Sequence, residues 1–239
     1  KTIAEIPKII GVNAIGTIPT IGSTQRRNNR DNGRTGAGRR GVLISEGNPK
    51  DPIAEAYRTL RTSLMYSGGD RKLRSMVVSS AAQSEGKSIT TANLGVTCAQ
   101  MGQRTVIIDG DLRRPVQHIL FDVEREGGLT EYLVQDLQLR DVAKSSGVEN
   151  LDIITAGITP PNPAPLLASA SMQERMNELL GAYDLVIFDS PPIIVVTDAV
   201  LLGKLTDGIL LVVRCATTPR AAAKHAGTIL ENANIPLLG

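Results

Sequence analysis

Three aspartates stand at positions where buried strands are predicted to end. The segment VIIDGDLRRP, residues 106–115, leads from an apolar strand into Asp109 and Asp111. The segment LVIFDSPP closes a second apolar strand with Asp189. Since the carboxyl ends of parallel strands meet at one edge of a sheet, these carboxylates are expected to lie close together. Like charges repel at that range, so the cluster needs a cation, and Mg²⁺ bound to a nucleotide would provide it.

A phosphate-binding loop is predicted in the segment SSAAQSEGKSITT, which follows another apolar strand. Ala81, four further residues and then Gly86, Lys87 and Ser88 have the spacing of such a loop, with alanine at the position of the first glycine. Successive N–H groups and a helix N-terminus would hold the phosphates, while Lys87 contacts the β- and γ-oxygens and Ser88 binds Mg²⁺. The residues predicted to bind nucleotide are Gln83, Ser84, Glu85, Gly86, Lys87, Ser88 and Ile89.

The loop and the acids together predict phosphoryl transfer to a hydroxyl group. Of Asp109 and Asp111, one would complete the surroundings of the metal and the other would take the proton from the attacking hydroxyl. The sequence leaves open which acid has which role. The predicted catalytic residues are Lys87, Asp109 and Asp111, and the predicted metal ligands are Ser88, Asp111 and Asp189.

The same acids have a simpler alternative use. Asp109 and Asp111 come just before Arg113 and Arg114, so they could form nothing more than local ion pairs. Pairs of this kind contribute about 1 kcal/mol or less at a surface. Under that alternative, neither acid would be needed for phosphoryl transfer.

The elements expected to position these residues alternate between strand and helix. The strand segments are almost wholly apolar, which is typical of strands buried on both faces of a parallel sheet. Helical segments separate most of them, so we predict an α/β fold with a mostly parallel sheet and helices on both faces. The predicted strands are 75–80, 105–110, 151–156, 185–190 and 208–213, and the predicted helices are Lys87–Met101, Ser171–Leu180 and Pro219–Asn232.

The 239 residues, 41% of them hydrophobic, suffice for one domain of ordinary size. Residues 1–22 consist of short apolar pieces that predict one or two strands docked on a larger body. From about residue 48 to 239 the chain forms the main domain. Its final residues, IPLLG, resemble the start of a further strand, and we expect the chain to be a piece of a longer protein. No apolar run has the length of a membrane span, which predicts that this piece is soluble.

Residues 23–47 are predicted to form a basic, flexible linker. Between residues 24 and 40 the chain holds six arginines and one aspartate and has no apolar period. We favour a solvated spacer over contact with anionic lipid headgroups, and nucleic acid is a weaker choice because no aromatic residue is available to stack on bases. Cys98 and Cys215 each lie in an apolar segment, which predicts two buried thiols rather than a disulfide.

Three motifs together carry a resemblance to a known family. The segments AAQSEGKS, VIIDGDLR and LVIFDSPP resemble the Walker A, Walker A′ and Walker B motifs of the bacterial tyrosine kinases of capsule and exopolysaccharide systems. The resemblance implies a P-loop NTPase-type fold that uses ATP and Mg²⁺. It also implies a protein-tyrosine autokinase that phosphorylates neighbouring subunits in a ring-like homo-oligomer and so regulates polysaccharide polymerisation and export.

The family's surroundings add further expectations. The resemblance implies a membrane-spanning polysaccharide co-polymerase adaptor, fused or separate, at the cytoplasmic face of the bacterial inner membrane. A cognate tyrosine phosphatase is a possible partner, and nucleic acid is not expected. The family's tyrosine-rich tail is absent from this sequence, and Val116 stands where some members carry a regulatory tyrosine. None of the four tyrosines is an obvious acceptor, since Tyr66 and Tyr132 lie in or beside predicted helices.

The segment DPIAEAYRTLRTSL, residues 51–64, resembles the family's oligomerisation helix. Its Glu55, Arg58 and Arg61 have the Glu-x-x-Arg-x-x-Arg spacing and form a stripe separate from the apolar one. A solvated face with one ion pair is the alternative. The resemblance favours an oligomer interface, for which arginine is well suited.

Two other functions use similar motifs. Partitioning and division-site ATPases use nucleotide as a dimerisation switch, but they carry a lysine five positions before the phosphate-binding lysine, and that position here is Ala82. A non-catalytic, nucleotide-sensing regulator of polymer length would need the same binding residues without transferring phosphate. A phosphotyrosine assay with MgATP discriminates these functions from a kinase.

Overall fold

The computed structural model describes residues 5–20, 43, 51–67 and 72–239. Nearly all of the predicted linker, and both of its boundaries, lie outside the described residues. The helices are α1 (Ile6–Ile10), α2 (Pro52–Ser67), α3 (Lys87–Ala99), α4 (Gln117–Phe121), α5 (Leu129–Val134), α6 (Leu139–Val142), α7 (Pro163–Leu167), α8 (Ala170–Ala182), α9 (Asp198–Gly203) and α10 (Arg220–Asn232). The strands are β1 (Ser75–Ser80), β2 (Thr105–Asp109), β3 (Lys144–Ser145), β4 (Leu151–Ile154), β5 (Leu185–Asp189) and β6 (Ile209–Val212).

The six strands form one sheet in the order β3-β4-β2-β5-β1-β6. All neighbouring strands are parallel except β3, which pairs antiparallel with β4. The five predicted strands are confirmed, although four of them end one or two residues earlier than predicted. The two-residue strand β3 was not predicted, because Lys144 and Ser145 carry no apolar signal.

Apolar side chains of the strands fill a core on each face of the sheet. In β2, Val106 and Ile108 belong to one core, while Ile107 belongs to the other. This alternation follows from the two-residue period of a strand. Helices α2 and α3 cover one face and α8 and α10 cover the other, which explains why the strands are apolar throughout.

The N-terminal segment docks on the domain as expected, but the predicted strands are wrong for its described part. Residues 6–10 form α1, which begins at Ile6, has Pro7 in its first turn and ends at Gly11 in the left-handed conformation. The chain from 11 to 20 is irregular. Ile10 packs against α10, and Ile15 and Ile18 pack against the core beside α2. Short apolar pieces do not reveal their period, so their packing on the domain was predictable and their backbone conformation was not.

The last residues extend the sheet beyond β6. The Leu238 N–H donates to the Ile209 carbonyl at 2.8 Å, and the Leu211 N–H donates to the Gly239 carbonyl at 3.0 Å. Leu237 and Ile209 form a parallel bridge, which confirms the strand-like character expected for IPLLG. Among the described helices, none is long and apolar enough to cross a membrane.

The two cysteines have different environments. Cys98 is buried in α3, and burial raises the pKa of its thiol to about 12. Cys215 is exposed, so the prediction of two buried thiols is wrong for this residue. The physical reason is that β6 ends at Val212, and Cys215 lies in the turn that follows the strand.

A close contact between α3 and β2 yields a stability test. A Cβ atom at Gly95 would lie 2.4 Å from Ile107 Cδ1, and Ile107 is fully buried. We expect Gly95→Ala to lower the free energy of unfolding by about 1–3 kcal/mol through overpacking. Gly181 of α8 is the matched control, because a Cβ there meets no atom within 4 Å and Gly181→Ala should stabilise by up to about 1 kcal/mol. Urea unfolding measures both, and equal stabilisation by the two substitutions would contradict the close contact.

Candidate active site

The predicted phosphate loop connects β1 to α3. Its last residue, Gly86, has φ 98° and accepts the first hydrogen bond of α3 from the Thr90 N–H at 2.9 Å. A Cβ at Gly86 would meet no atom within 4 Å, so the left-handed backbone, not space, requires glycine here. The first turn of α3 therefore leaves its free N–H groups pointing into the loop, as an anion site requires.

Lys87, the first residue of α3, joins the loop to the aspartates. Its Nζ lies 3.1 Å from Asp111 Oδ2, 3.5 Å from Asp189 Oδ1 and 3.1 Å from Ser88 Oγ. Burial opposes its charge, but the carboxylates of Asp189 and Asp111 raise the pKa of Lys87 above its usual value. The lysine is therefore a cation held within a ring of oxygen atoms.

Asp109 is fully buried at the end of β2. Its Oδ2 accepts the Val116 and Gln117 N–H groups, each at 2.9 Å. Within the described part of the chain its Oδ1 has no hydrogen-bond partner. Burial and the nearby Asp189 carboxylate raise the pKa of Asp109 to about 8. The unpartnered oxygen is unusual for a buried carboxylate, because such groups normally have their hydrogen bonds satisfied.

Gln117, at the start of α4, is a site residue that sequence reasoning missed. Its amide nitrogen donates to Asp189 Oδ2 at 2.9 Å and to the Ser88 carbonyl at 3.1 Å. Burial raises the pKa of Asp189, while Lys87 and hydrogen bonds from the side chains of Ser88 and Gln117 oppose that rise. No motif marks Gln117, and only its position eight residues after Asp109 connects it to the site.

The alternative in which Arg113 and Arg114 form local ion pairs with Asp109 and Asp111 is wrong. The Arg113 guanidinium pairs with both oxygens of Asp198, at 2.9 and 3.2 Å. Arg114 donates its backbone N–H to Asp111 Oδ1, at 3.0 Å, and its guanidinium lies 3.4 Å from Gln83 Oε1. The buried Asp198 precedes an apolar stretch, but sequence alone could not identify its partner 85 residues away.

Glu85 stabilises the conformation of the phosphate loop through two hydrogen bonds. Its Oε2 accepts the Ala82 N–H at 2.9 Å, and its Oε1 accepts the hydroxyl of Thr218. Thr218 Oγ1 in turn accepts the Arg214 N–H at 2.9 Å, and the Arg214 guanidinium lies 3.4 Å from the Ser84 carbonyl. The segment after β6 therefore supports the phosphate loop, and Arg214 and Thr218 are further residues that sequence reasoning missed.

Two further residues of the predicted nucleotide-binding set, Ser84 and Ile89, differ in backbone conformation. Ser84 has φ 63°, which is uncommon for a residue with a side chain. Ile89 lies in the first turn of α3, and its carbonyl accepts the Asn93 side-chain amide at 3.1 Å. Contact of any loop residue with nucleotide stays a prediction.

Comparison with known proteins identifies the family. A family described as an AAA domain matches residues 76–226. The tyrosine-protein kinase YwqD of Bacillus subtilis is 41% identical over 197 residues, which are 82% of this chain and 83% of that protein. The tyrosine-protein kinase Etk of Escherichia coli is 36% identical over 201 residues, which are 82% of this chain and 27% of Etk. This chain belongs to the bacterial tyrosine kinase family.

Solved structures support the assignment of this chain to the bacterial tyrosine kinase family. The kinase domain of Escherichia coli ETK superposes with a TM-score of 0.88 at 32% identity, covering 100% of this chain and 92% of that one. The BceF tyrosine kinase domain gives a TM-score of 0.87 at 30% identity, covering 100% of this chain and 96% of that one. The septum site-determining protein MinD of Pyrococcus horikoshii gives 0.59 at 24% identity, which shows a common fold. The predicted P-loop NTPase-type fold and the resemblance to bacterial tyrosine kinases are confirmed.

The predicted oligomerisation helix is α2 of the kinase. Glu55 and Arg58 form an exposed ion pair at 2.9 Å. Arg61 is half-buried, and its guanidinium lies beside the Cys98 thiol of α3. Glu55 and Arg58 are therefore available on the surface, whereas Arg61 also packs within its own subunit. The interface itself stays a prediction.

The hydrogen bonds of the Thr218 hydroxyl allow a test of what keeps the phosphate loop ordered. Thr218→Val removes the hydroxyl that bridges Arg214 and Glu85, so we expect amide hydrogen exchange in residues 81–86 to quicken about fivefold, the equivalent of one lost hydrogen bond. Exchange followed by mass spectrometry measures this. Thr218→Ser should retain the slow rate, and the neighbouring Thr217→Val is the matched control. Equal rates in wild type and Thr218→Val would show that the loop does not depend on this hydroxyl.

Proposed function

We propose that this kinase binds ATP with Mg²⁺ and transfers the γ-phosphate to tyrosine hydroxyls on neighbouring copies of the chain. The observation that carries the proposal is the position of Lys87 Nζ, within 3.5 Å of Ser88, Asp111 and Asp189. Such a lysine at a helix N-terminus supplies charge where phosphate oxygens would lie.

The residues present fit a nucleotide. The loop combines the left-handed Gly86 with the free N–H groups of the first turn of α3, and this concave backbone suits a phosphate group. Lys87 adds a positive charge that is partly buried and held in place by two carboxylates. Gln83, Ser84, Glu85 and Ile89 shape the loop, and for Glu85 we propose a supporting role through Ala82 and Thr218 rather than a direct contact.

The donor set also fits Mg²⁺. Ser88 Oγ, Asp111 and Asp189 are hard oxygen donors gathered around one lysine nitrogen. Within the described residues, no group of three or more His, Cys, Asp or Glu side chains forms a metal site by itself. Mg²⁺ commonly takes its other ligands from water and substrate phosphates, so a partial set of protein ligands is compatible with this ion. When bound, the ion would neutralise charge on the phosphates.

We assign the proton acceptor to Asp109 and the metal contact to Asp111. Asp109 has an oxygen without a partner among the described residues, and its other oxygen is fixed by two N–H groups. Both oxygens of Asp111 are engaged, one by Lys87 and one by the Arg114 N–H. An oxygen already accepting a hydrogen bond from a cation is a poorer proton acceptor than an unpartnered one. Lys87 and the loop N–H groups would hold the phosphate in line with the hydroxyl.

We propose a role in polysaccharide export at the cytoplasmic face of the inner membrane. A Klebsiella pneumoniae tyrosine kinase named for its cps region is 34% identical over 211 residues, and the matched part is 28% of its length. The longer relatives thus contain additional chain, which supports a membrane-spanning co-polymerase partner for this kinase. A ring-like homo-oligomer through α2 and a cognate tyrosine phosphatase belong to the same proposal.

A nucleotide-dependent dimerisation switch is the less favoured function. MinD shares the fold, but its TM-score is well below that of the kinase domains. Ala82 also occupies the position where those switches carry a lysine, and its N–H is bound to Glu85.

Replacement of Lys87 tests the transfer reaction. We expect Lys87→Met to reduce tyrosine phosphorylation by about tenfold or more, because Lys87 is the cation held beside Ser88, Asp111 and Asp189, where the β- and γ-phosphates would lie. A phosphotyrosine immunoblot after addition of MgATP measures the effect. Lys224→Met, at an exposed position of α10, is the matched control, and thermal melting verifies folding. A rate for Lys87→Met equal to that of the control would refute the assignment.

Replacement of Arg58 tests the oligomer. Arg58→Ala removes a surface cation without disturbing the core, whereas Arg61 also packs on Cys98 and is a less clean test. We expect Arg58→Ala to reduce particle mass in multi-angle light scattering and to leave nucleotide affinity unchanged, since α2 lies outside the phosphate loop. Arg140→Ala, an exposed change on α6, should leave the mass unaltered. An unchanged mass for Arg58→Ala would exclude this face from assembly.

A further inference from the structure

The four tyrosines of the chain, all among the described residues, differ sharply in accessibility. Tyr66 is 81% exposed, whereas Tyr57, Tyr132 and Tyr183 are each 9% exposed or less. The sequence alone did not single out Tyr66, because it falls within a predicted helical region like its counterparts. The structure separates it from them by burial.

The three buried tyrosines have their hydroxyls engaged. Tyr132 donates to Glu178 Oε2 at 2.7 Å and lies under the Arg175 guanidinium, 4.4 Å from the ring centroid. Tyr183 donates to Asp152 Oδ2 at 2.8 Å. Burial raises the pKa of both. Neither hydroxyl could enter an active site unless the surrounding packing first opened.

Tyr57 is held between two helices. It is buried where α2 packs on α3, and its hydroxyl hydrogen bonds with Thr90 and Asn93. This contact also places the N-terminal half of α2 beside the first turns of α3. Tyr57 is therefore part of the core and not an accessible acceptor.

Tyr66 lies at the far end of α2 from this contact, one residue before the helix ends at Ser67. Its neighbour Met65 has its sulfur 4.0 Å from the Gln103 side-chain amide. Gln103 comes after α3 and just before β2 begins, so it is at the amino edge of the sheet. Lys87 is at the opposite end of α3, which has 13 residues and is therefore about 20 Å long.

This geometry prevents Tyr66 from reaching its own active site. Asp109 closes β2 at the carboxyl edge of the sheet, whereas Met65 lies beside the residue that precedes the amino end of β2. The helix α2 is anchored to α3 by buried side chains along its length, including Leu60 and Leu64. Any transfer to Tyr66 must therefore come from another copy of the chain.

We propose that Tyr66 is a phosphorylation site modified in trans by a second copy of this kinase. In the step, Tyr66 Oη forms a bond to the γ-phosphorus of ATP, and the bond between that phosphorus and the bridging oxygen breaks, releasing ADP. The phenolic proton passes to a carboxylate of the copy that holds ATP. The inference rests on the proposed kinase function and adds its acceptor.

Tyr66 lies on the same exposed face of α2 as Glu55 and Arg58. Residues 55, 58, 62 and 66 follow the spacing i, i+3, i+7, i+11, so Tyr66 continues the exposed face that begins with the Glu55–Arg58 ion pair. Phosphorylation would add about −1.5 to −2 charges at the end of this face. The modification would therefore change the charge of the helix face through which we propose that copies associate.

A mixing experiment tests the inference. The donor copy carries Tyr66→Phe with Lys87 intact, and the acceptor copy carries Lys87→Met with Tyr66 intact and is labelled with heavy nitrogen. After addition of MgATP, mass spectrometry reads phosphotyrosine on the acceptor. We expect Tyr66 to carry about tenfold more phosphate than any of the buried tyrosines, because those require local unfolding first. An acceptor with both Lys87→Met and Tyr66→Phe should carry about tenfold less phosphotyrosine, and its melting temperature should match that of the single variant.

A synthetic glutamate–tyrosine copolymer separates failure of the inference from failure of the function. If the donor phosphorylates the copolymer while Tyr66 of the acceptor stays unmodified, the inference is overturned and the kinase function stands. If neither the copolymer nor any tyrosine of the chain is phosphorylated, both are overturned. Labelling of Tyr66 in the wild-type chain at an unchanged rate per molecule after dilution to the point where light scattering shows only monomers would overturn transfer in trans.

Discussion

The placement of one ammonium group among buried carboxylates is the interaction on which the site depends. Lys87 meets Asp111 and Asp189 directly, and the fully buried Asp109 lies close enough for its ionisation to be affected by Asp189. Removing charges from water is costly unless they are paired, so the cluster is tolerable only with this cation or with a further one. Negative charge that remains on the carboxylates after pairing would attract a metal ion, and the ion would in turn attract the phosphates of a nucleotide.

The pairing register of the strands, as well as their parallel direction, brings the aspartates of this cluster together. Asp109 pairs in register with Asp189 across β2 and β5, so both carboxylates leave the sheet at the same level. The strand β1 on the other side of β5 delivers the phosphate loop to that edge. Shifting either pairing by one residue would turn an aspartate into a core of apolar side chains. The buried, apolar strands thus fix the positions of the polar groups that follow them.

Contacts distant in sequence hold the loops around the cluster. The Arg113–Asp198 pair ties the turn after β2 to α9, and Thr218 ties the segment after β6 to Glu85. Gln117 connects α4 to Asp189 and to the backbone at Ser88. A site whose side chains are held on several sides needs little rearrangement when a charged ligand arrives, which lowers the cost of stabilising transferred charge.

The sequence by itself determined the five apolar strands, the phosphate loop and the clustering of Asp109, Asp111 and Asp189, because apolar periodicity and strand-end motifs are local signals. Only the tertiary structure decided the partners of Asp198 and Thr218, the exposure of Cys215 and of Tyr66, and the helical form of residues 6–10. These features depend on which distant segments pack together. Hydrogen bonds across 85 or 133 residues leave no trace in local spacing, since any polar residue on a turn has the same pattern whether or not a partner comes to meet it.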